Sequence, residues 1–147
     1  MTIRQLSIFI DDKAGSLVKV LDVLSQSGHQ ILTSTLADTQ DFSIFRVLCT
    51  DADQAYLHLR EAGFNVMLTD VIALMVPDEP GSAAKAIRLV SQAGISIRYM
   101  YSFLLAGKGI LVLRTDNADR AKEIILINHL EFATEAELDA LVNGLRV

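Results

Sequence analysis

The segment IFIDDKAGSL, at Ile8–Leu17, returns 66 residues later as LMVPDEPGSA, at Leu74–Ala83. Each copy runs from apolar residues through an acidic turn to a glycine and a serine. Beyond these segments the two halves of the sequence align without a gap: Lys19 with Lys85, Gly28 with Gly94, Ile44 with Ile110 and Asp53 with Asp119. Because the matches fall at the same turns and the same helix ends, the sequence indicates a duplicated unit.

The first copy is predicted to read strand, helix, strand, strand, helix, strand. Alternating apolar residues over Leu6–Ile10 predict the first strand, because successive side chains of a strand point to opposite faces. Apolar residues at three-to-four spacing predict a helix over 16–27, with Gly28 at its C-terminal end. The other predicted elements of this copy are strands at 31–37, 42–50 and 64–69 and a helix at 51–62, which Asp51 caps.

The second copy repeats this order and is predicted to end in one additional helix. Its predicted elements are strands at 71–76, 95–105, 108–115 and 129–133 and helices at 82–93 and 117–128. Thr134, with Glu137 three residues later, forms a capping box that begins the last helix, at about 134–143. The copies are predicted to be two domains, 1–69 and 70–147.

The order βαββαβ predicts an α+β fold. In the ferredoxin-like plan, both helices cover one face of a four-stranded antiparallel sheet. The strands at 42–50 and 108–115 carry apolar residues on both faces, and a unit of about 70 residues is small for independent stability. We therefore expect the two units to pack on each other or on another chain.

The composition excludes several functional classes. The chain has 147 residues, of which 51% are apolar, and its 13 Lys and Arg against 18 Asp and Glu give a net charge of −5. A disordered chain would be poorer in apolar residues, and a nucleic-acid-binding domain usually carries positive charge. No apolar run approaches the roughly 18 residues of a membrane-spanning helix, and the N-terminus lacks the apolar region of a signal peptide. We expect a soluble, cytoplasmic protein without nucleic-acid or membrane partners.

The sequence offers no candidate catalytic or metal-binding residues. His29, His58 and His129 lack the spacing of metal ligands, and Cys49, the single cysteine, is interpreted as a small buried apolar residue on a strand. No Ser-His-Asp or Cys-His arrangement is present. We therefore expect a protein that is not an enzyme and that uses no cofactor and no metal.

The repeated turn resembles that of the ACT domain, a small βαββαβ module that binds amino acids and related metabolites. The family signature is a strand that ends in an acidic or polar residue, then Pro-Gly, then a small or apolar residue that opens a helix. The second copy has this signature intact at Pro77–Ser82, whereas the first has Ala14 in place of the proline. The segments Ala37–Phe42 and Tyr99–Phe103 resemble those of a stand-alone group of tandem ACT proteins, and the resemblance covers nearly the whole chain.

The chemistry of the turn suits an amino acid. The first N–H groups of a helix lack partners, and the helix dipole is positive there. A ligand carboxylate can approach these groups closely beside a glycine, and the neighbouring acidic side chains can meet an ammonium group. In the family, the ligand lies between this turn and the second strand of a neighbouring unit. The resulting candidate ligand-binding residues are Asp11, Asp12, Ala14, Gly15, Ser16, Leu17 and Asp38, with Asp78, Glu79, Pro80, Gly81, Ser82, Ala83, Tyr99 and Tyr101.

Simpler structural roles remain open for the same residues. Gly15 and Gly81 also serve to permit a tight turn between strand and helix, and Ser16 and Ser82 are expected to cap the helices that follow. Tyr99 and its neighbouring aromatic residues also suit an interface or a core.

The resemblance implies a sensor or regulatory protein. It is expected to bind an amino acid or a related metabolite, to form a homodimer and to act in trans on a partner enzyme of metabolism. An alternative is a non-catalytic regulatory or dimerisation subunit of an amino-acid biosynthetic enzyme, similar to the small subunits of acetohydroxyacid synthase. The alternative predicts co-purification with a large catalytic subunit and no stabilisation of the isolated chain by a ligand.

Overall fold

The computed structural model describes residues 2–11 and 13–144, which form two compact units. The N-terminal unit comprises Arg4–Thr69, and the C-terminal unit comprises the chain from Asp70 onward together with Thr2 and Ile3. Among the described residues, no helix is both long enough and apolar enough to cross a membrane.

The N-terminal unit has two helices, two complete strands, nearly all of a third strand and part of a fourth. Its elements are β1 (Ile3–Ile10), α1 (Ser16–Gln26), β2 (Ile31–Asp38), β3 (Ser43–Cys49), α2 (Ala52–Glu61) and the first part of β4 (Asn65–Pro77). β3 lies between β1 and β2 and is antiparallel to both, with Phe45 opposite Ile8 on one side and Leu36 on the other. The side-chain oxygens of Ser7 and Thr69 lie 3.4 Å apart and join β1 to the first part of β4.

The core of this unit lies between its sheet and its helices. It is formed by alternate residues of the strands and one face of each helix, as the apolar periodicity predicted: Leu6, Ile8, Ile10, Val20, Leu24, Phe45, Val47, Ala55, Leu59 and Val66. Burial of the apolar face of each helix stabilises α1 and α2 more than their intrinsic helix propensity does.

The C-terminal unit repeats the plan. Its elements are the second part of β4, α3 (Ser82–Gln92), β5 (Ile97–Leu105), β6 (Lys108–Thr115), α4 (Ala118–Ile127), β7 (Glu131–Phe132) and α5 (Glu135–Gly144). β4 lies between β6 and β7, so that Leu74 is opposite Leu111 and Phe132, and all pairs are antiparallel. The predicted α+β class with two ferredoxin-like βαββαβ units is therefore confirmed.

The core of the C-terminal unit corresponds to that of the first. Its buried members are Ile72, Leu74, Val76, Ala86, Val90, Ile95, Leu111, Leu113, Ala121 and Ile125. The other face of β6 is apolar as well, since Ile110 and Val112 are fully buried there. The prediction that the third strand of the second copy is apolar on both faces is confirmed.

The predicted boundary between the last strand of the first copy and the first strand of the second copy was wrong. Separate strands were expected at 64–69 and 71–76, but β4 runs unbroken from Asn65 to Pro77. The polar pair Thr69 and Asp70 does not interrupt it, because the Thr69 hydroxyl lies 3.4 Å from that of Ser7 and Asp70 is exposed. The Asp70 carbonyl accepts a hydrogen bond of 2.9 Å from the Arg114 guanidinium.

The first helices of the two units begin differently from the prediction. The N-cap positions of α1 and α3 are Gly15 and Gly81, which have φ values of 89° and 88°, and no side chain caps either helix. Ser16 and Ser82, which were expected to be caps, are instead the first helical residues. Glycine adopts this left-handed conformation without a steric penalty, so the chain can enter the helix abruptly after the strand.

The second helices have unlike caps at equivalent positions. Asp51 is the N-cap of α2, as predicted, but its φ is 51° and its side chain accepts no capping hydrogen bond. Asn117, at the N-cap of α4, accepts a hydrogen bond of 3.1 Å from the N–H of Arg120. At the start of α5 the predicted capping box is confirmed: Thr134 Oγ1 accepts from Glu137 N at 3.1 Å, and Glu137 Oε2 accepts from Thr134 N at 3.3 Å.

Two histidines that are distant in sequence are hydrogen-bonded. His29 Nδ1 lies 3.0 Å from the carbonyl oxygen of Thr50, and His29 Nε2 lies 2.9 Å from His58 Nδ1. Because a carbonyl only accepts, His29 Nδ1 donates, and in the neutral pair His58 donates to His29. These two hydrogen bonds connect the segments before β2 and after β3 to α2. Within the part of the chain that the structure describes, no three His, Cys, Asp or Glu side chains group as metal ligands.

Candidate functional site

The candidate site of the C-terminal unit is the turn between β4 and α3. Glu79 N donates to the carbonyl of Pro77 at 2.9 Å, and Ser82 N donates to the carbonyl of Glu79 at 3.2 Å. Lys85 N donates to the carbonyl of Gly81 at 3.0 Å, which starts the regular hydrogen bonding of the helix. The remaining N–H groups of the first turn are aligned with the positive end of the helix dipole, so this helix end is favourable for a negative charge.

The equivalent turn of the N-terminal unit has the same backbone geometry. Ser16 N donates to the carbonyl of Lys13, and Lys19 N donates to the carbonyl of Gly15, both at 3.2 Å. Ala14, which takes the place of the family's proline, does not alter this arrangement.

A cavity of about 430 Å³ opens beside the C-terminal turn. Four of the candidate ligand-binding residues line it: Glu79, Pro80, Gly81 and Ser82. The rest of the lining comes from the end of β4, the first turn of α3, the start of β6 and the segment that leads into β7: Met75, Val76, Pro77, Lys85, Ala86, Lys108, His129, Leu130 and Glu131. The structure therefore brings part of the predicted set together with charged residues that sequence reasoning missed.

A smaller cavity, of about 210 Å³, lies beside the N-terminal turn. Three candidate residues line it: Asp11, Gly15 and Leu17. It opens toward the second and third strands of the unit, since the other lining residues are Ile10, Lys13, Val18, Leu36 and Ser43.

Several candidate residues line neither of these two cavities. They are Ala14, Ser16, Asp38, Asp78, Ala83, Tyr99 and Tyr101. Asp38 is exposed at the end of β2, opposite Ser43, and Asp78 is exposed in the turn itself. Asp12 lies outside the described residues.

The aromatic residues of β5 share one face of the strand. Tyr99, Tyr101 and Phe103 are half-buried, whereas the residues between them are exposed. Tyr101 is opposite Val112 and Phe103 is opposite Ile110, so this aromatic row adjoins the second apolar face of β6. This placement favours the packing role that was left open for Tyr99 and Tyr101.

Charged side chains surround the C-terminal cavity. Lys85 and Lys108 are cationic, Glu79 and Glu131 are anionic, and His129 is a fifth ionisable group; all five are exposed. No ion pair or side-chain hydrogen bond joins any of them to another of the described residues. The rim of the cavity therefore presents two positive and two negative groups that are available to a ligand.

His129 could have been noticed from the repeat. Its equivalent in the first copy is Gly63, which has a φ of 91°, and His129 itself has a φ of 56°. A histidine in this left-handed conformation is uncommon. The alignment of the two copies thus contained a signal for a special residue at this position, although no sequence pattern places it beside the turn.

Comparisons with known proteins agree with the fold. The sequence matches the family described as ACT domain pair over residues 1–142. Protein BT0572 from Bacteroides thetaiotaomicron is similar in structure, with a TM-score of 0.88 and 33% identity, over 94% of this chain and 96% of that chain. No curated protein matches the sequence.

Two further solved structures are similar in fold alone. The ligand-free regulatory subunit of aspartate kinase from Thermus thermophilus has a TM-score of 0.61 and 16% identity, over 86% of this chain and 90% of that chain. The regulatory subunit of aspartate kinase from Thermus flavus has a TM-score of 0.58 and 17% identity, over 83% of this chain and 89% of that chain. A family match over residues 1–142, on a duplicated βαββαβ fold, shows that this chain belongs to the ACT domain pairs, a family of regulatory domains.

Proposed function

We propose that this ACT domain pair is a regulatory protein that binds an amino acid or a related small metabolite at the Gly81 turn and acts in trans on metabolism. The cavity beside that turn is the observation that carries the proposal. Its volume of about 430 Å³ lies in the range of small-molecule sites, which is about 300–1,000 Å³. The N-terminal cavity, of about 210 Å³, lies below that range.

The turn supplies the chemistry that an amino acid needs. A ligand carboxylate is favoured at the N-terminus of α3 because the N–H groups and the dipole of the helix are positive there. Gly81 leaves the approach open, since a β-carbon at this position would meet nothing within 4 Å. The exposed carboxylates of Glu79 and Glu131 on the rim are suitable partners for an ammonium group.

Regulation requires that the ligand bind one state of the protein more tightly than another. Ligand bound beside Gly81 contacts both the turn and the segment before β7, so binding is expected to restrict their relative motion. A partner enzyme that recognises the restricted state would then be controlled by the concentration of the metabolite.

Thermal unfolding with each of the twenty common amino acids tests the proposal. A ligand that binds only the folded chain adds about 2.7 kcal/mol of stability at 100 times its dissociation constant, which raises the melting temperature. Gly81→Ala is expected to reduce that shift. Gly94→Ala is the matched control, because Gly94 also has a positive φ, of 77°, with open space around it, and does not line the cavity. A flat panel, or equal shifts in both variants, would contradict the proposal.

The alternative is a non-catalytic subunit of an amino-acid biosynthetic enzyme. Leu126 and Ile127, at the end of α4, favour it, because these neighbouring apolar side chains are 52% and 66% exposed. The alternative predicts a stable complex with a catalytic subunit that Ile127→Lys disrupts, and no amino acid that stabilises the isolated chain.

A further inference from the structure

The two cavities share part of their lining and differ in the rest. Ile10, Asp11, Lys13 and Gly15 of one correspond to Val76, Pro77, Glu79 and Gly81 of the other. In the N-terminal unit the cavity extends from the turn toward Leu36 of β2 and Ser43 of β3. In the C-terminal unit it extends toward Lys108 of β6 and the segment His129–Glu131 that leads into β7. The C-terminal cavity is therefore not a copy of the N-terminal one, and its ligand chemistry has to be derived from its own residues.

The charged rim of the C-terminal cavity is specific to the second copy. Under the alignment of the copies, Glu79, Lys85, Lys108, His129 and Glu131 correspond to Lys13, Lys19, Phe42, Gly63 and Asn65. Only one of the five positions keeps its charge. Because both copies form the same fold, the fold itself does not require this set of side chains.

The floor of the cavity is apolar. Val76 and Ala86, both buried, line it from β4 and α3, and the half-buried Leu130 lines it from the segment before β7. An apolar floor below a charged rim is typical of sites that bury an apolar group and orient it by a few polar contacts.

We propose that this cavity binds an α-amino acid as a zwitterion, with an apolar side chain on the floor formed by Val76 and its neighbours. Lys85 and Lys108, together with the N-terminus of α3, hold the ligand carboxylate, and Glu79 and Glu131 hold its ammonium group. This inference rests on the proposed function and narrows it to one class of amino acid.

The rim carries two positive and two negative side chains, and this balance selects a ligand that has both a positive and a negative charge. An anion such as inorganic phosphate would face Glu79 and Glu131 without compensation, and an amine without a carboxylate would face the two lysines in the same way. Like charges brought together at a binding site are strongly unfavourable, and such repulsion is a source of specificity. An acidic or basic side chain would in addition have to lose its hydration against the apolar floor.

Titration calorimetry on the full chain tests the charge requirement. The probes are L-leucine, L-methionine and L-phenylalanine, each with the amine that lacks its carboxylate and the acid that lacks its ammonium group, and inorganic phosphate. At least one of the three amino acids is expected to bind. Its two single-charge analogues are expected to bind at least about tenfold more weakly, because each loses a charge-assisted contact.

Paired variants test the assigned residues. Lys85→Gln is expected to weaken binding of the same amino acid at least about tenfold, since it removes a charged partner. Lys19→Gln, the equivalent change in the N-terminal unit, is expected to leave binding unchanged. Glu131→Asn introduces the side chain that the first copy carries at the equivalent position, so it is expected to fold normally and to weaken binding.

The outcomes separate this inference from the proposed function. Binding of aspartate or lysine in preference to the three apolar amino acids would overturn the inference and leave the proposed function standing. Equal binding of an analogue with one charge, or of phosphate, would also overturn it, as would equal losses in the Lys85 and Lys19 variants. If none of the twenty amino acids binds, both fail.

Discussion

At the scale of single residues, Cys49 shows how burial raises the pKa of a thiol. It is the last residue of β3 and packs against the N-terminal core. Burial raises the pKa of the Cys49 thiol from 9.0 to about 12, and the nearby negative charge of Asp51 acts in the same direction. Cys49 packs as a small apolar residue, as the sequence predicted, although it is half-buried and not fully buried. Its raised pKa leaves the thiol protonated and unreactive near neutral pH.

The raised pKa of Cys49 predicts a loss of stability at high pH. Below pH 9 the thiol is protonated in both the folded and the unfolded chain, so it contributes no pH dependence. Between pH 9 and 12 the unfolded thiol ionises while the folded one keeps its proton, and the free energy of unfolding falls as the pH rises. Urea denaturation at about pH 8 and about pH 10.5 is expected to show a larger loss for the wild type than for Cys49→Ala. Equal losses of stability in the wild type and in Cys49→Ala would contradict the raised pKa of the Cys49 thiol.

At the scale of elements, the caps of α2 and α4 differ although the helices are equivalent. Asp51 occupies its cap position in a left-handed conformation and its side chain makes no capping hydrogen bond, whereas Asn117 makes one to the N–H of Arg120. The sequence predicted Asp51 as the cap of α2, because aspartate favours N-caps, and it predicted that the equivalent helix begins at Asn117, one residue before α4. It did not predict which side chain forms the bond, because that depends on backbone angles set by the preceding strand.

Substitution of the two caps is expected to have unequal effects. Asn117→Ala removes the hydrogen bond to Arg120 N, and losses of this kind are typically about 1 kcal/mol of stability. Asp51→Gly removes no capping bond and relieves a left-handed conformation that glycine accepts readily, so it is expected to be neutral or stabilising. Chemical denaturation of both variants checks this difference. A larger loss for Asp51→Gly than for Asn117→Ala would contradict it.

The strands show where sequence reasoning reached its limit. The sequence pattern identified every strand of the first copy, but β4 was divided at Thr69 and Asp70 because one copy of the repeat ends there and the next begins. It also overestimated the last strand, which was expected at 129–133 and is only Glu131–Phe132. Periodicity reports which face is buried, whereas the length of a strand depends on how many backbone partners its neighbour offers.

The candidate site was predictable only in part for a similar reason. Gly81 and its neighbours were found because they form a local motif whose chemistry follows from consecutive residues. Lys108 and His129 were missed because they reach the turn from other strands and segments, and their side of the turn is decided by the three-dimensional fold. Tyr99 and Tyr101 were carried over from the family arrangement, and they line neither cavity.

At the scale of the whole molecule, the edge strand β5 favours the homodimer that the family resemblance implies. β5 lies at the end of the strand order of its sheet, and Met100 and Leu104 on it are exposed. An edge strand with exposed apolar side chains is a ready surface for pairing with another chain.

The homodimer predicts a definite mass in solution. Sedimentation equilibrium is expected to give about 32 kDa, which is twice the 16.1 kDa of one chain. Leu104→Lys is expected to return the mass to that of one chain, because a charge on the edge strand opposes pairing. Leu57→Lys, which alters an exposed apolar side chain of α2, serves as the control. A monomeric wild type would contradict the prediction.

The central claim is that the chain carries an amino-acid site beside Gly81 and not beside Gly15, because of the two turn cavities the C-terminal one has the volume of a small-molecule site and a rim with two lysines and two glutamates. Titration calorimetry with the amino acid that most stabilises the chain tests this claim most directly through its stoichiometry. About one ligand per chain is expected, with loss of the binding heat in Lys85→Gln but not in Lys19→Gln. Two equal sites per chain, or no binding heat for any amino acid, would contradict it.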